Sequence, residues 1–163
     1  MIAIASDHAG YPQKQKIIEY LKKKKIEYMD LGTNSLDSVD YPVYAKKVIN
    51  AISTTACDRG ILVCGSGIGM SIAVNRSPFV RGALCYSAAA AKLSREHNDA
   101  NVLVLPGRKF SAGKAIRCVD VFLNTAFLGE RHAVRVQMLG ELFGDADKAK
   151  SPAKKTGATK VKK

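Results

Sequence analysis

Residues 60–71 read GILVCGSGIGMS, an apolar run that leads directly into a glycine-rich turn. The run lacks the alternation of apolar and polar side chains seen in half-exposed strands, which is typical of a strand covered on both faces. Runs of the same kind recur along the chain. They predict five short strands, Ile2–Ser6, Glu27–Leu31, Gly60–Cys64, Arg81–Cys85 and Asn101–Leu105.

Segments of helical periodicity separate these strands. One-sided apolar stripes occur within residues 17–21, 45–52 and 115–123, spaced as on one face of a helix. The order strand, helix, strand predicts a parallel sheet with right-handed crossovers and helices on both faces. We therefore expect an α/β fold, a Rossmann-like three-layer α/β/α arrangement with a five-stranded parallel sheet. A last amphipathic helix, Arg131–Phe143, is predicted beyond the sheet, where it is available to pack on this domain or on a partner.

The size and composition of the chain suit one globular domain. Its 163 residues, 47% hydrophobic and 25% charged, are enough for one core and too few for two ordinary domains. No apolar run approaches the ~20 residues of a membrane-spanning helix, and the N-terminus lacks the basic flank of a secretory signal. We therefore expect a soluble, cytoplasmic protein without a membrane partner.

The net charge of +12 is concentrated at the C-terminus. Residues 148–163 hold seven lysines and no acidic residue, so subtracting those seven charges from +12 leaves +5 for residues 1–147. The tail composition offers almost nothing to bury and predicts a disordered, solvated segment behind a domain that ends near residue 147. Nucleic acid is not expected as a partner, apart from weak contact of this tail with a polyanion.

Four cysteines stand at positions 57, 64, 85 and 118, with no C-x-x-C pair and no histidine at zinc-ligand spacing. Reduced thiols are therefore expected, and no structural metal site. Three of these cysteines are predicted to fill the core. Cys64 differs because it ends the third predicted strand, directly before the glycine-rich turn.

Chemistry in an open parallel sheet collects beyond the carboxyl ends of the strands. Asp7-His8 follows the first predicted strand, Cys64 with the turn follows the third, and Arg108 follows the fifth. His97-Asn98 instead precedes the fifth strand and lies outside that edge. Each histidine pair could also serve as a structural helix cap, and this alternative stays open.

The turn Gly65-x-Gly67-x-Gly69 can point backbone N–H groups at an anion. It is not a dinucleotide-binding motif, because Met70 stands where the third glycine belongs, and it lacks the lysine of a P-loop. A thiol at Cys64 beside these N–H groups favours the thiolate, which acts as a base or a nucleophile. The alternatives are a tight turn without a ligand and a buried, inert cysteine.

Arg131 and Arg135 lie four residues apart on the last predicted helix and therefore share one face. With Arg108 nearby, their guanidinium groups would hold a phosphate. A solvated basic face is the alternative. A phosphorylated sugar needs such arginines, whereas a neutral substrate does not.

Five motifs together resemble one family, ribose-5-phosphate isomerase type B, whose relatives include galactose and allose 6-phosphate isomerases. The resemblance runs through about residues 1–145, in order and spacing, and leaves out the lysine tail. The motifs are Ser6-Asp7-His8-Ala9-Gly10, Asp40-Tyr41-Pro42, Cys64-Gly65-Ser66-Gly67-Ile68-Gly69, Leu93-Ser94-Arg95-x-His97-Asn98-Asp99-x-Asn101-Val102-Leu103 and Gly129-x-Arg131-His132-x-x-Arg135.

The resemblance implies an aldose–ketose isomerase of the pentose phosphate pathway, which interconverts ribose 5-phosphate and ribulose 5-phosphate through an enediolate. It implies no metal, no organic cofactor, and a homodimer, or a tetramer built from it, with active sites at the interface. Cys64 matches the base that abstracts a proton, and His97 matches the residue that assists opening of the furanose ring. Substrate-binding positions are matched by Asp7, His8, Gly65, Ser66, Gly67, Ile68, Gly69, Asn98, Arg108, Arg131 and Arg135, and in some members by Tyr41.

Two departures bear on the choice of base and of substrate. Many members carry threonine in place of Ser66, which keeps the hydroxyl. Members without the cysteine use a glutamate slightly further along, where Asn75 and its neighbours offer no carboxylate, so Cys64 is favoured here. A six-carbon phosphosugar, allose or galactose 6-phosphate, is the alternative substrate. A nucleotide- or polyanion-binding module without chemistry is the alternative to an enzyme.

Overall fold

The computed structural model describes residues 1–142, in which strands and helices alternate. The predicted domain boundary near residue 147 and the lysine tail 148–163 lie outside these residues. The elements are β1 (Ile2–Ser6), α1 (Tyr11–Lys23), β2 (Tyr28–Asp30), α2 (Tyr41–Ser53), β3 (Arg59–Cys64), α3 (Ile68–Val74), β4 (Gly82–Leu84), α4 (Ala88–Asn98), β5 (Val102–Pro106), α5 (Ala112–Asn124) and α6 (Arg131–Glu141).

The five strands form one parallel sheet in the order β2-β1-β3-β5-β4. In its centre β3 pairs with β1 on one side and with β5 on the other, so that Ile61 lies opposite Ile4 and Leu62 lies opposite Val104. The predicted α/β fold and all five predicted strands are confirmed.

The outer strands β2 and β4 have three residues each, where five were predicted. Both lie at an edge of the sheet and pair on one side only. Their flanking residues keep single hydrogen bonds: Ile2 N–H donates to the Glu27 carbonyl at 3.1 Å, and Cys85 N–H donates to the Val104 carbonyl at 3.0 Å. The apolar pattern located these strands correctly and overestimated each by one residue at either end.

Two apolar layers join the helices to the sheet. One layer lies under α1, α4 and α5 and includes Ile4 and Phe122, while the other lies under α2 and α3 and includes Leu62 and Met70. Alternate residues of each central strand enter alternate layers, because successive side chains of a strand point to opposite faces. Both sides of the sheet are thus covered, as the unbroken apolar runs predicted.

Three cysteines, Cys57, Cys85 and Cys118, are buried and free in these layers. Burial raises the pKa of each of the three thiols, and that of Cys85 to about 11. They are therefore protonated at neutral pH. The interpretation of these three residues as core fillers is confirmed.

Close backbone contacts join the loops at the carboxyl edge of the sheet. A Cβ atom on Gly10 would lie 2.4 Å from the Val63 carbonyl oxygen, and one on Gly107 would lie 2.7 Å from the Gly10 Cα atom. Only glycine fits at such distances. The loops after β1 and β5 are thereby held against the end of β3.

The last helix, α6, lies outside the sheet and packs against α4. It ends at Glu141, and Phe143 of the predicted helix lies outside the described residues. Its His132 is buried, whereas Val134 and Met138 are 61% and 58% exposed. No helix within residues 1–142 is long and apolar enough to cross a membrane.

Candidate active site

The carboxyl ends of β1 and β3 lie side by side at one edge of the sheet, where a ligand-binding crevice is expected in an open α/β fold. The chain moves from β1 outward to β2 and then returns across β1 to β3, so the direction of winding reverses at this point. Ligands of open α/β sheets bind where this reversal occurs. Asp7 and His8 follow β1 here, and Cys64 ends β3 directly opposite.

Asp7 and His8 are both held by backbone partners. The Asp7 carboxylate accepts a hydrogen bond of 2.8 Å from Gly10 N–H, just before α1, and is buried. His8 Nδ1 lies 3.2 Å from the backbone nitrogen of Val39 and 3.3 Å from its carbonyl oxygen. When Val39 N–H donates to Nδ1, the proton of the neutral ring resides on Nε2. That nitrogen then has a hydrogen to donate to a ligand.

Residues 65–69, named here the glycine loop, connect Cys64 to α3. The Ser66 hydroxyl accepts a hydrogen bond of 3.2 Å from Ile68 N–H. Gly67 has a φ of +81°, and a Cβ atom there would lie 2.4 Å from the Leu84 side chain. Within residues 1–142 the backbone N–H groups of Ser66 and Gly67 donate to no protein acceptor. These free donors are what an anion-binding turn requires.

Tyr41 covers the far end of the glycine loop. A Cβ atom on Gly69 would lie 2.8 Å from Cζ of the Tyr41 ring, so the ring rests directly on the Gly69 backbone. Tyr41 is the first residue of α2 and is 38% exposed. The Tyr41 side chain thus lies against the glycine loop, and its role in lining a substrate site stays a prediction.

Arg108 lies on the other side of the glycine loop. A cavity of about 500 Å³ is lined by Gly65, Ser66, Tyr86, Pro106, Arg108 and Lys109. Both basic side chains of this cavity are exposed. Lys109 was not singled out in the sequence, although it stands next to Arg108 at the same strand end.

His97, Asn98, Arg131 and Arg135 lie at the opposite edge of the sheet. Because α4 connects two parallel strands, it runs from the carboxyl edge back to the amino edge and ends just before β5. The strand β5 has five residues, and a strand rises about 3.3 Å per residue, so the two edges lie about 16 Å apart. Arg108 is therefore not near Arg131 and Arg135 within one chain. The predicted arrangement of the three arginines around one phosphate is not formed within a single chain, and it stays a prediction.

His97 has a partner that the sequence interpretation missed. Its ring stacks on His132 of α6, with centroids 4.3 Å apart and planes at 6°. Burial, together with positive charge from His97, Arg131 and Arg135, lowers the pKa of His132. In the sequence, the position of His132 between Arg131 and Arg135 of the last motif could have indicated that it belongs to the same group of residues.

The candidate residues thus form two groups. The first, named here the loop cluster, surrounds the crevice and contains Asp7, His8, Tyr41, Cys64, the glycine loop and Arg108. The second, named here the histidine cluster, lies at the α4–α6 contact and contains His97, Asn98, Arg131, His132 and Arg135. Sequence reasoning identified most members of both clusters, and the structure separates them within one chain.

Comparison with known proteins shows which family has this arrangement. A family model described as Ribose/Galactose Isomerase matches residues 2–139. The chain belongs to the ribose/galactose isomerase family. The resemblance found in the sequence motifs is thereby confirmed, and the chain is an isomerase rather than a binding module.

Relatives and solved structures of the ribose/galactose isomerase family match this chain over most of its length. It is 50% identical over 135 residues to a putative sugar phosphate isomerase of Rickettsia bellii, covering 83% of this chain and 94% of that protein. It is 39% identical over 138 residues to ribose-5-phosphate isomerase B of Escherichia coli, covering 85% and 93%. A ribose 5-phosphate isomerase structure from Thermotoga maritima is 53% identical with a TM-score of 0.85, covering 86% of this chain and 97% of that one. The Mycoplasma genitalium ribose-5-phosphate isomerase B structure with bound ribulose-5-phosphate is 40% identical with a TM-score of 0.83, covering 87% and 95%.

Proposed function

We propose that this chain interconverts ribose 5-phosphate and ribulose 5-phosphate, with Cys64 as the base. The observation that carries the proposal is the place of Cys64, which ends β3 just before the glycine loop. Within residues 1–142 the Ser66 and Gly67 N–H groups of that loop donate to no protein acceptor. The Escherichia coli relative is named ribose-5-phosphate isomerase B, and the Mycoplasma genitalium relative holds ribulose-5-phosphate. Both names favour a pentose phosphate as substrate.

The isomerisation moves one hydrogen from C2 to C1 of the open-chain sugar. Cys64, as thiolate, takes the proton from C2, and the electron pair of that C–H bond forms the C1–C2 double bond of an enediolate. Negative charge then develops on the C1 oxygen, within reach of the glycine loop. The thiol returns its proton to C1, the proton of the C2 hydroxyl passes to the C1 oxygen, and a ketone remains at C2. Loss of a donor to such an oxyanion costs about 10²–10³ in rate in other enzymes.

Ring opening needs the histidine cluster, which one chain cannot bring to Cys64. We therefore place the active site between two copies of the chain, with His97 of the partner subunit at the loop cluster. In this arrangement the imidazole moves protons between the ring oxygen and the anomeric hydroxyl. Two-fold symmetry then makes two equivalent sites. Val134 and Met138 of α6, exposed and four residues apart on one stripe, offer an apolar surface for the partner.

The arginines that bind the phosphate also come from both copies of the chain in this arrangement. Arg108 approaches from the loop cluster, whereas Arg131 and Arg135 of the partner subunit approach from the other side. Guanidinium groups bind phosphate through paired N–H donors. Holding the phosphate away from the reacting carbons lets binding energy fix the position of C1 and C2.

A phosphosugar carries charge and does not cross a bilayer unaided, which favours a cytoplasmic place of action.

Subunit complementation tests the shared site. Cys64→Ala and His97→Asn each disable one cluster, so each variant alone should be inactive on ribose 5-phosphate. Mixed dimers made by unfolding and refolding the two together have one site with both residues intact. Random pairing places half of the chains in such dimers, so about one quarter of wild-type activity should return. No recovery in a mixture shown to contain mixed dimers would place both residues in one chain.

A second substrate class is kept because the family model is described by both ribose and galactose. Ribose 5-phosphate, allose 6-phosphate and galactose 6-phosphate should be compared side by side with the purified chain. We expect kcat/KM to be highest for ribose 5-phosphate. If either six-carbon sugar has the higher kcat/KM, that sugar would replace ribose 5-phosphate as the proposed substrate. A separate measurement, the mass of the protein in solution, would distinguish a dimer from a tetramer.

A further inference from the structure

Three successive carbonyl groups at the start of the glycine loop each accept a hydrogen bond. The Cys64 carbonyl accepts from Gly107 N–H at 2.7 Å, and the Gly65 carbonyl accepts from Arg108 N–H at 3.0 Å. The third, that of Ser66, accepts from the Tyr86 hydroxyl at 2.9 Å. Two of the donors are backbone groups of the loop after β5. The third is a side chain, and it can be removed without changing the main chain.

These contacts set the direction of the N–H groups. In a planar trans peptide the carbonyl of one residue and the N–H of the next point in opposite directions. A donor that holds the Ser66 carbonyl therefore turns the Gly67 N–H away from Tyr86, and Arg108 N–H does the same for the Ser66 N–H. These are the two N–H groups that donate to no acceptor within residues 1–142. Each N–H points away from the donor that holds the carbonyl of the same peptide group, and it is therefore available to a ligand.

Tyr86 is itself held by Phe110, which is in turn anchored to α1. Its ring meets the edge of Phe110 with centroids 6.4 Å apart and planes at 84°. The Phe110 carbonyl accepts a hydrogen bond of 3.2 Å from the side chain of Gln13, which is buried in α1. The hydroxyl of Tyr86 thus reaches Ser66 from a supported position, although the residue is 54% exposed.

We infer that Tyr86 is a positioning residue of this isomerase, which orients the glycine loop so that the Gly67 N–H meets the charge of the enediolate. The inference rests on the proposed function, since it assigns an effect on that reaction. In this assignment the hydroxyl of Tyr86 acts through the Ser66 carbonyl that it holds, and not by contact with the reacting carbons. It acts only through the Ser66–Gly67 peptide, and so it should affect the transition state more than the binding of the substrate.

Tyr86→Phe tests this assignment, because it keeps the ring against Phe110 and removes only the hydroxyl. We expect kcat to fall about 5- to 50-fold, between the loss of one ordinary hydrogen bond and the loss of a whole oxyanion donor. KM for ribose 5-phosphate should change less than about twofold. The dissociation constant of a hydroxamate analogue of the enediolate should rise by the same factor as kcat falls.

Tyr20→Phe is the matched control. The Tyr20 hydroxyl donates to the Asp120 carboxylate at 2.5 Å, between α1 and α5 and away from the crevice. Its loss should lower the melting temperature and leave kcat unchanged. Should Tyr86→Phe fail to fold, Phe110→Leu, which loosens the Tyr86 ring, should show the same split between kcat and KM at a smaller size.

The possible outcomes separate the two proposals. Wild-type kcat and hydroxamate affinity in Tyr86→Phe would overturn the role of Tyr86 and leave the proposed function intact. An equal fall of kcat in Tyr86→Phe and Tyr20→Phe would show a general structural effect and would also overturn it. A wild-type chain that turns over none of the three phosphosugars would overturn the proposed function, and the role of Tyr86 with it.

Discussion

Cys64 differs from the other three cysteines in its position at the end of a central strand. It leads into a loop whose Ser66 and Gly67 N–H groups have no acceptor in the described part of the chain. Cys57, Cys85 and Cys118 instead lie in apolar layers, where burial raises the pKa of their thiols. Cys64→Ala should therefore lower kcat by about 10³ or more while ribose 5-phosphate still binds, because the loop and the arginines remain. Cys57→Ala is the control, with kcat unchanged. Turnover of Cys64→Ala within about tenfold of wild type, measured with binding by calorimetry, would remove Cys64 from the mechanism.

At the scale of one element, the glycine loop requires a glycine at position 67, whereas α5 has room for a side chain at position 113. Gly67 has a φ of +81°, and its Cβ atom would lie 2.4 Å from Leu84 and 3.2 Å from the Leu105 backbone. Gly113, within α5, has no atom within 4 Å of its Cβ position. Gly67→Ala should thus destabilise the fold by about 2 kcal/mol or more and lower kcat. Gly113→Ala should stabilise it by up to about 1 kcal/mol with kcat unchanged, as denaturant unfolding can measure. Equal effects of the two substitutions would contradict this difference between the two positions.

Sequence patterns located the elements whose structure is determined by neighbouring residues in the chain. Strand β3 and the glycine loop follow from consecutive residues, an apolar run and then glycines. Cys64 and its neighbours were therefore placed correctly at the carboxyl edge. The docking of α6 depends on which surface covers it, and no local pattern states that. The sequence accordingly groups Arg131 and Arg135 with Arg108, which one chain does not bring together. Tyr86 is exposed and belongs to no motif, so only the hydrogen bond to Ser66 shows its place. The catalytic roles of Cys64 and His97 stay predictions.

Across the whole molecule, the raised pKa values of Cys85 and Tyr20 predict a loss of stability at alkaline pH. Burial raises the pKa of Cys85 from 9.0 to about 11, and burial with the nearby Asp120 raises that of Tyr20 from 10.0 to about 12. Below pH 9 the folded and unfolded chains both keep these protons. As pH rises from about 9 to 11, the unfolded chain loses the Cys85 proton that the folded chain retains, so the free energy of unfolding should fall by about 2 kcal/mol. Cys85→Ala should be less stable at pH 7 and should show a shallower fall, whereas an unchanged slope would assign the loss to other groups.

The separation of the loop cluster from the histidine cluster ties activity to assembly. Val134 and Met138 form an outward apolar stripe on α6, the helix that carries Arg131 and Arg135. A carboxylate on that stripe would lose its hydration on contact with a second copy, which costs several kcal/mol unless it is paired. Met138→Glu should therefore yield a folded monomer, native by circular dichroism, because the side chain is exposed within its own chain. Its kcat should fall at least about 100-fold, since the partner's His97 is then absent from the crevice. Sedimentation velocity and the isomerase assay on the same sample measure both quantities, and a monomer with wild-type turnover would show that one chain completes the site alone.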